Sequence, residues 1–189
     1  MTDRQKKGIK QILVGVILLA VAGLLYWFGN RGETAAVDTF DECAAEGFPV
    51  MESYPRQCRV PDGETFREEI GNELEKDNLI RIEAPRPNSK VTSPLVVRGM
   101  ARGNWFFEAS FPLKLLDGNG KEIAVSHAQA QADPATGEVN WMTTEFVPFE
   151  GKLMFSIPET KEGTLILAKD NPSGLPEHDD SLIVPVRFR

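Results

Sequence analysis

Hydrophobic and polar positions alternate along most of this chain, and one segment breaks the rule. From residue 12 to residue 28 no side chain is charged or strongly polar. Seventeen residues at helical rise span roughly 26 Å, close to the hydrocarbon core of a bilayer, and the apolar residues occupy every face instead of one stripe. Beyond residue 79 the pattern changes to short apolar runs separated by turn formers: 79–84, 95–101, 105–116, 122–129, 141–149, 152–157, 164–169 and 182–188. Ile80 and Ile82 share one face of the first run while Arg81 and Glu83 share the other, and Phe107, Ala109, Phe111, Leu113 and Leu115 keep a common face in the third. Period-two alternation over seven or eight short segments predicts an all-β, immunoglobulin-like β-sandwich, with Trp141, Phe107 and Phe155 in its core.

Charge gives the apolar segment an orientation. Arg4, Lys6, Lys7 and Lys10 precede it, Tyr26 and Trp27 lie where an interfacial aromatic belt belongs, and a polar stretch follows. The basic flank predicts a cytoplasmic N-terminus and an extracytoplasmic remainder. Ala20-Val21-Ala22 has the small-x-small form of a signal-peptidase site, but the apolar run continues through Phe28, which favours an uncleaved anchor. The whole chain carries a net charge of −7, and with five basic residues and one acid in residues 1–31, the remainder stands at −11. Such a surface repels phosphate backbones and anionic lipid headgroups, so nucleic acid is not an expected partner.

The two cysteines, Cys43 and Cys58, both follow the anchor and are expected to be disulfide-bonded in an oxidising compartment. Closing a loop of about fifteen residues would contribute on the order of 3 kcal/mol. Between and just beyond them, Gly47, Pro49, Pro55, Pro61 and Asp62-Gly63 suggest a stapled loop and no helix. The expected organisation is a basic tail (1–11), a membrane helix (12–28), a linker (29–42), a cysteine box (43–68), a second linker or helical turn (69–78) and the sandwich (79–189).

Catalysis would need a nucleophile with a base, paired carboxylates or a metal cluster. His127 and His178 lack partners at ligand spacing, Asp117-Gly118-Asn119-Gly120 is hairpin chemistry and not a calcium loop, and no metal or cofactor is expected. Glu108, an acid within an apolar run, is expected either to pair with an arginine (Arg98, Arg187 or Arg189) if inward, or to belong to the polar face if outward. Trp105 and Phe106 are the candidate aromatic anchors of a binding surface.

The stretch from Ala84 to Ile123, followed by Trp141, Phe146 and the run 153–174, resembles the immunoglobulin-like domain associated with bacterial spore-germination proteins, the Gmad family. The residues that carry the likeness are Pro85, Ser93-Pro94, Gly99, Ala101, Phe107-Glu108-Ala109, Asp117, Gly120 and Trp141. The resemblance implies an extracytoplasmic sandwich without known catalytic residues, found on lipoproteins and anchored proteins. The cysteine box is similar to a short motif found beside membrane anchors in other bacterial envelope proteins. Its CRVPDGETF end faintly resembles Kazal-type protease inhibitors, although those use three disulfides. The expected function is a non-enzymatic, membrane-anchored module that binds an envelope protein or cell-wall component. The alternatives are an architectural spacer and, more remotely, a protease inhibitor.

Overall fold

A computed structural model describes residues 37–133 and 135–188. The expected basic tail and membrane segment lie outside them, and among the described residues no helix is long and apolar enough to cross a membrane. The cysteine box opens with helix α1 (Phe40–Ala45), where a loop was expected. The local signal lay just before the box: Thr39 Oγ1 accepts the Glu42 N–H at 3.2 Å, and Asp41 and Glu42 place negative charge in the first turn. Three short antiparallel strands follow in the order β1 (Val50–Met51), β2 (Gln57–Arg59) and β3 (Thr65–Arg67). The Cys43–Cys58 disulfide ties α1 to β2, and both sulfurs are buried with Phe40 and Val60 in a small core of their own.

The larger unit is one continuous antiparallel sheet of seven strands: β4 (Ile80–Ala84), β5 (Leu95–Arg102), β6 (Ser110–Asp117), β7 (Glu122–Ala130), β8 (Phe146–Leu153), β9 (Glu162–Ala168) and β10 (Ser181–Arg187). Their spatial order is β10-β9-β6-β7-β8-β5-β4. β7 pairs with β6 along most of its length but with β8 only at residues 128–130, so the sheet folds over on itself at that point. The inward residues of all seven strands, among them Ile80, Val97, Phe111, Leu113, Phe149, Leu165 and Val184, meet in a single apolar core. Phe111 lies edge-on to both Phe106 and Phe149, with ring centroids 5.2 and 5.0 Å away.

The two outer strands are nearly joined. Lys90 bridges Arg187 in parallel, with the Val91 N–H donating to the Arg187 carbonyl at 2.8 Å. The Asn72 side chain binds the edge of β10 from the other direction, accepting the Ile183 N–H at 2.7 Å and donating to the Ser181 carbonyl at 2.9 Å. Segment 69–78, with its single helical turn α2 (Glu73–Lys76), therefore runs along β10 and satisfies backbone groups an open edge would leave exposed. Gly99 is set by packing between strands: a Cβ there would fall 2.0 Å from the Arg81 carbonyl oxygen.

Two strand boundaries differ from the alternation reading. The runs at 141–149 and 152–157 meet in one strand, β8, which takes only residues 146–153 of them, because Glu150 and Gly151 continue the ladder with Arg98 and Val97 of β5, giving seven strands and not eight. The run at 105–116 is broken. Residues Gly103–Trp105 form a 3-10 turn and β6 begins only at Ser110.

Candidate functional site

The directions of the strands sort the connections to two ends. β5, β7 and β9 run the same way, so segments 103–109, 131–145 and 169–180 lie together at one end. The turns 85–94, 118–121 and 154–161 lie at the other. The cysteine box belongs with this second end: Asn88 donates to the Glu69 carbonyl at 2.7 Å, and Arg187 pairs with Asp41.

Box, connecting segment and sandwich meet in one polar network. Glu73 is only 8% exposed, and its carboxylate accepts from Arg86 Nη1 at 2.6 Å and from the Tyr54 hydroxyl, while Arg86 Nη2 donates to Tyr54 at 2.7 Å. Burial and the bond to Glu73 push the Tyr54 hydroxyl well above the usual tyrosine range, so it stays a proton donor. Beside this network, Arg56 grips Glu68 with two bonds of 2.8 and 2.7 Å, and that guanidinium holds the Glu68 carboxyl below its ordinary range. These groups serve attachment: each is answered by a partner in the same network, which leaves none turned toward a substrate.

The loop end differs. Trp105 is 1% exposed and forms the pillar on which the loops converge, its carbonyl accepting the Asp170 N–H at 3.0 Å. Gly103 N–H donates to the Glu145 carbonyl, and a Cβ on Gly103 would strike the Thr143 oxygen at 2.0 Å, so only glycine lets segment 131–145 pack this closely. The Ala130 N–H donates to the Ala109 carbonyl at 2.8 Å. Three loops on separate strand pairs are thus fixed to one another, and a rigid scaffold presenting loop side chains is the usual arrangement of a recognition surface. Among the described residues, segment 131–145 has no helix or strand of its own, and loops of that length are typically functional.

The side chains facing solvent there are not the ones the sequence suggested. Trp105 and Phe106, expected as surface anchors, are both in the core, because the 3-10 turn swings them inward beneath the loops. Phe107, expected in the core, is exposed instead. Phe107 and Ser110 exchange two backbone hydrogen bonds of 3.0 Å around Glu108 and Ala109, whose φ values of 50° and 60° mark a tight reversal of the type I′ kind. Glu108 consequently points to water and no arginine pairs with it among the described residues. Trp141 is half-buried against the core and Phe155 packs there too, edge-on to Phe188. Around the end stand Phe107, Val139, Met142 (79% exposed) and Leu175. Val139 and Leu175 stand alone among polar and turn-forming residues, and Met142 falls inside the run 141–149, where the pattern predicts a strand.

The loop end is also acidic. Segments 103–109, 131–145 and 169–180 contain Glu108, Asp133, Glu138, Glu145, Asp170, Glu177, Asp179 and Asp180 against Lys169 as the single lysine or arginine. Asp180 pairs with Lys76 and Glu145 approaches Arg102 at 3.7 Å, but the other six, Glu108, Asp133, Glu138, Asp170, Glu177 and Asp179, make no ion pair among the described residues. At the opposite end the turns carry Arg86, Lys90, Lys121 and Lys161 against Glu159, and Arg86 reaches Tyr54 of the box and Glu73.

The remaining expected positions are structural. Pro85 is buried, Pro94 begins the approach to β5, and Ser93 Oγ accepts the Phe155 N–H at 3.0 Å. Asp117 Oδ1 accepts the N–H groups of Asn119 and Lys121 at 2.9 and 3.0 Å, and Gly120 takes a φ of 77°, which makes this the hairpin between β6 and β7. His127 is exposed on β7, and His178 Nδ1 meets the Ser173 hydroxyl at 3.0 Å. No group of three or more metal-ligating side chains occurs among the described residues.

No curated protein and no solved structure matches this chain. One family does: the description "immunoglobulin-like domain of bacterial spore germination", Gmad2, matches residues 79–174, from the strand that opens the sheet to the loop after β9. With just over half of its length matched, a folded-over seven-stranded sheet and the hairpin at Asp117, this chain belongs to the Gmad2 family of immunoglobulin-like domains of bacterial spore germination.

Proposed function

We propose that the protein is a membrane-anchored, non-catalytic recognition module that stands outside the cytoplasm and engages an envelope protein or cell-wall component through its loop end. The observation that supports this most is the polarity of the fold. The chain enters the described structure at the cysteine box, next to the 85–94 and 118–121 turns, so an anchor in residues 12–28 would lead into that end, with the three fixed loops at the opposite end of the sandwich. Those loops expose apolar side chains, Met142 foremost. The family relationship supports a non-catalytic module.

Capture experiments test the reading. Wild-type protein and the double variant Met142→Ser/Leu175→Ser are immobilised and exposed to solubilised envelope proteins and to purified peptidoglycan. A ligand held by wild type and lost by the variant, but kept by a Val125→Ser control on the β7 face, supports the loop end. Equal retention by both variants refutes it, and no retention by wild type favours a spacer.

A further inference from the structure

The chemistry of the loop end specifies the partner more narrowly than its position does. Eight acids stand against one lysine in the three loops, and six of those acids make no ion pair among the described residues. Uncompensated charge of one sign on a fixed surface destabilises the domain by self-repulsion unless a partner of the other sign relieves it. Elsewhere the molecule does compensate: Arg86 in a turn at the opposite end meets Glu73, and Arg187 finds Asp41. Within the acidic loops lie Phe107, Val139, Met142 and Leu175, all exposed. Exposed apolar side chains interspersed with charged ones are the composition of a protein-binding surface, in which the apolar groups supply affinity and the charged ones supply steering and selectivity.

We propose that the loop end docks a cationic protein segment that presents apolar side chains to Met142, Leu175, Val139 and Phe107 and basic ones to Glu108, Glu138, Asp170 and Glu177. The inference rests on the loop-end reading above and adds the partner's chemistry. It excludes anionic wall polymers and anionic lipid surfaces as ligands of this end, since their phosphates would meet the same acids. Because the loops are tied together through Gly103 and Trp105, the surface is preformed, and docking needs no rearrangement of the sandwich.

The probe is a synthetic amphipathic peptide of lysine and leucine, paired with a glutamate and leucine peptide of the same pattern. Binding to the full-length chain in non-ionic detergent is followed by fluorescence anisotropy. The loop variant carries Glu108→Gln, Glu138→Gln, Asp170→Asn and Glu177→Gln. A control carries Glu46→Gln, Glu52→Gln, Glu64→Gln and Glu83→Gln, four exposed acids away from the loop end, and circular dichroism establishes that both fold. The expected result is binding of the lysine peptide about tenfold weaker in the loop variant and within about twofold of wild type in the control, falling with added salt, with the glutamate peptide unbound. Equal weakening in both variants, or none in the loop variant, overturns the proposal. If the loop variant binds the lysine peptide as wild type does while Met142→Ser/Leu175→Ser still abolishes capture of the envelope ligand, the charge inference falls and the loop-end reading stands. If that double variant leaves both peptide binding and capture unchanged, both fall.

Discussion

Replacing Trp105 with alanine should be among the most damaging single changes to the sandwich. The ring is 1% exposed and belongs to the core that also holds Phe106 and Phe111. An indole of about 200 Å² removed from water at about 25 cal/mol per Å² corresponds to about 5 kcal/mol of burial. One feature of the site acts in the opposite direction. Trp105 Nε1 has no hydrogen-bond partner among the described residues, and removing a buried, unmet donor recovers about 1 to 2 kcal/mol. The net loss expected for Trp105→Ala is therefore about 3 kcal/mol. Trp105→Phe, which keeps most of the ring and removes the donor, should cost about 1 kcal/mol. Trp141, only half-buried, supplies the internal comparison, and Trp141→Ala should cost about 1 to 2 kcal/mol. Urea denaturation of a soluble fragment beginning at Thr34, followed by circular dichroism, measures all three. A loss below about 1 kcal/mol for Trp105→Ala with a larger one for Trp141→Ala would show that core and surface have been assigned the wrong way round, and the placement of the loops on Trp105 would go with it.

Three further outcomes are expected. Neither Cys43 nor Cys58 should react with a thiol reagent before reduction, and Cys43→Ser with Cys58→Ser should destabilise the box by about 3 kcal/mol; quantitative labelling without reductant would rule out the disulfide in solution. Arg86→Ala leaves the Glu73 carboxylate enclosed without its cation and should cost about 2 kcal/mol, discounted from a fully buried pair because Arg86 itself is half exposed, whereas a neutral result in denaturant melts would mean the carboxylate reaches water. Acid should loosen the box. The folded Glu68 value lies below the unfolded one of about 4.3, so its stabilising contribution is complete above that pH and disappears as pH falls through the lower, folded value; Arg56→Gln should flatten this acid limb of a pH-dependent thermal melt, and an unchanged limb would contradict the assignment.

Strand content was legible in the sequence wherever one face is buried and the other wet, as in Ile80 to Ala84, where alternation follows directly from the pleat. It failed at the third run because Phe107 to Leu116 keeps apolar residues at every second position straight through a tight turn. A φ of 50° at Glu108 and 60° at Ala109 leaves no sign in residues that are neither glycine nor asparagine. The same reversal exchanged the roles of Phe107 and Trp105, so the sequence pointed to the correct loop and to the wrong side chains within it. The box helix was hidden for a different reason: its cap, Thr39, and its first turn precede Cys43, outside the stretch whose prolines and glycines suggested a loop. The acidic character of the loop end was present in the composition. It became a surface only when strand directions brought three separated segments together.

The central claim is that the end farthest from the box meets a partner outside the cytoplasm. In-cell photocrosslinking tests it most directly, with a photoreactive amino acid placed at Met142 or Leu175 in the loops, or at Arg98 on the charged outer face of β5. The account predicts a discrete, larger adduct from positions 142 and 175 and none from position 98, with the adduct removed by protease added to cells whose membranes are intact to the cytoplasm. An adduct from position 98 without one from 142 or 175, or an adduct that protease reaches only after the cytoplasmic face is exposed, would contradict it.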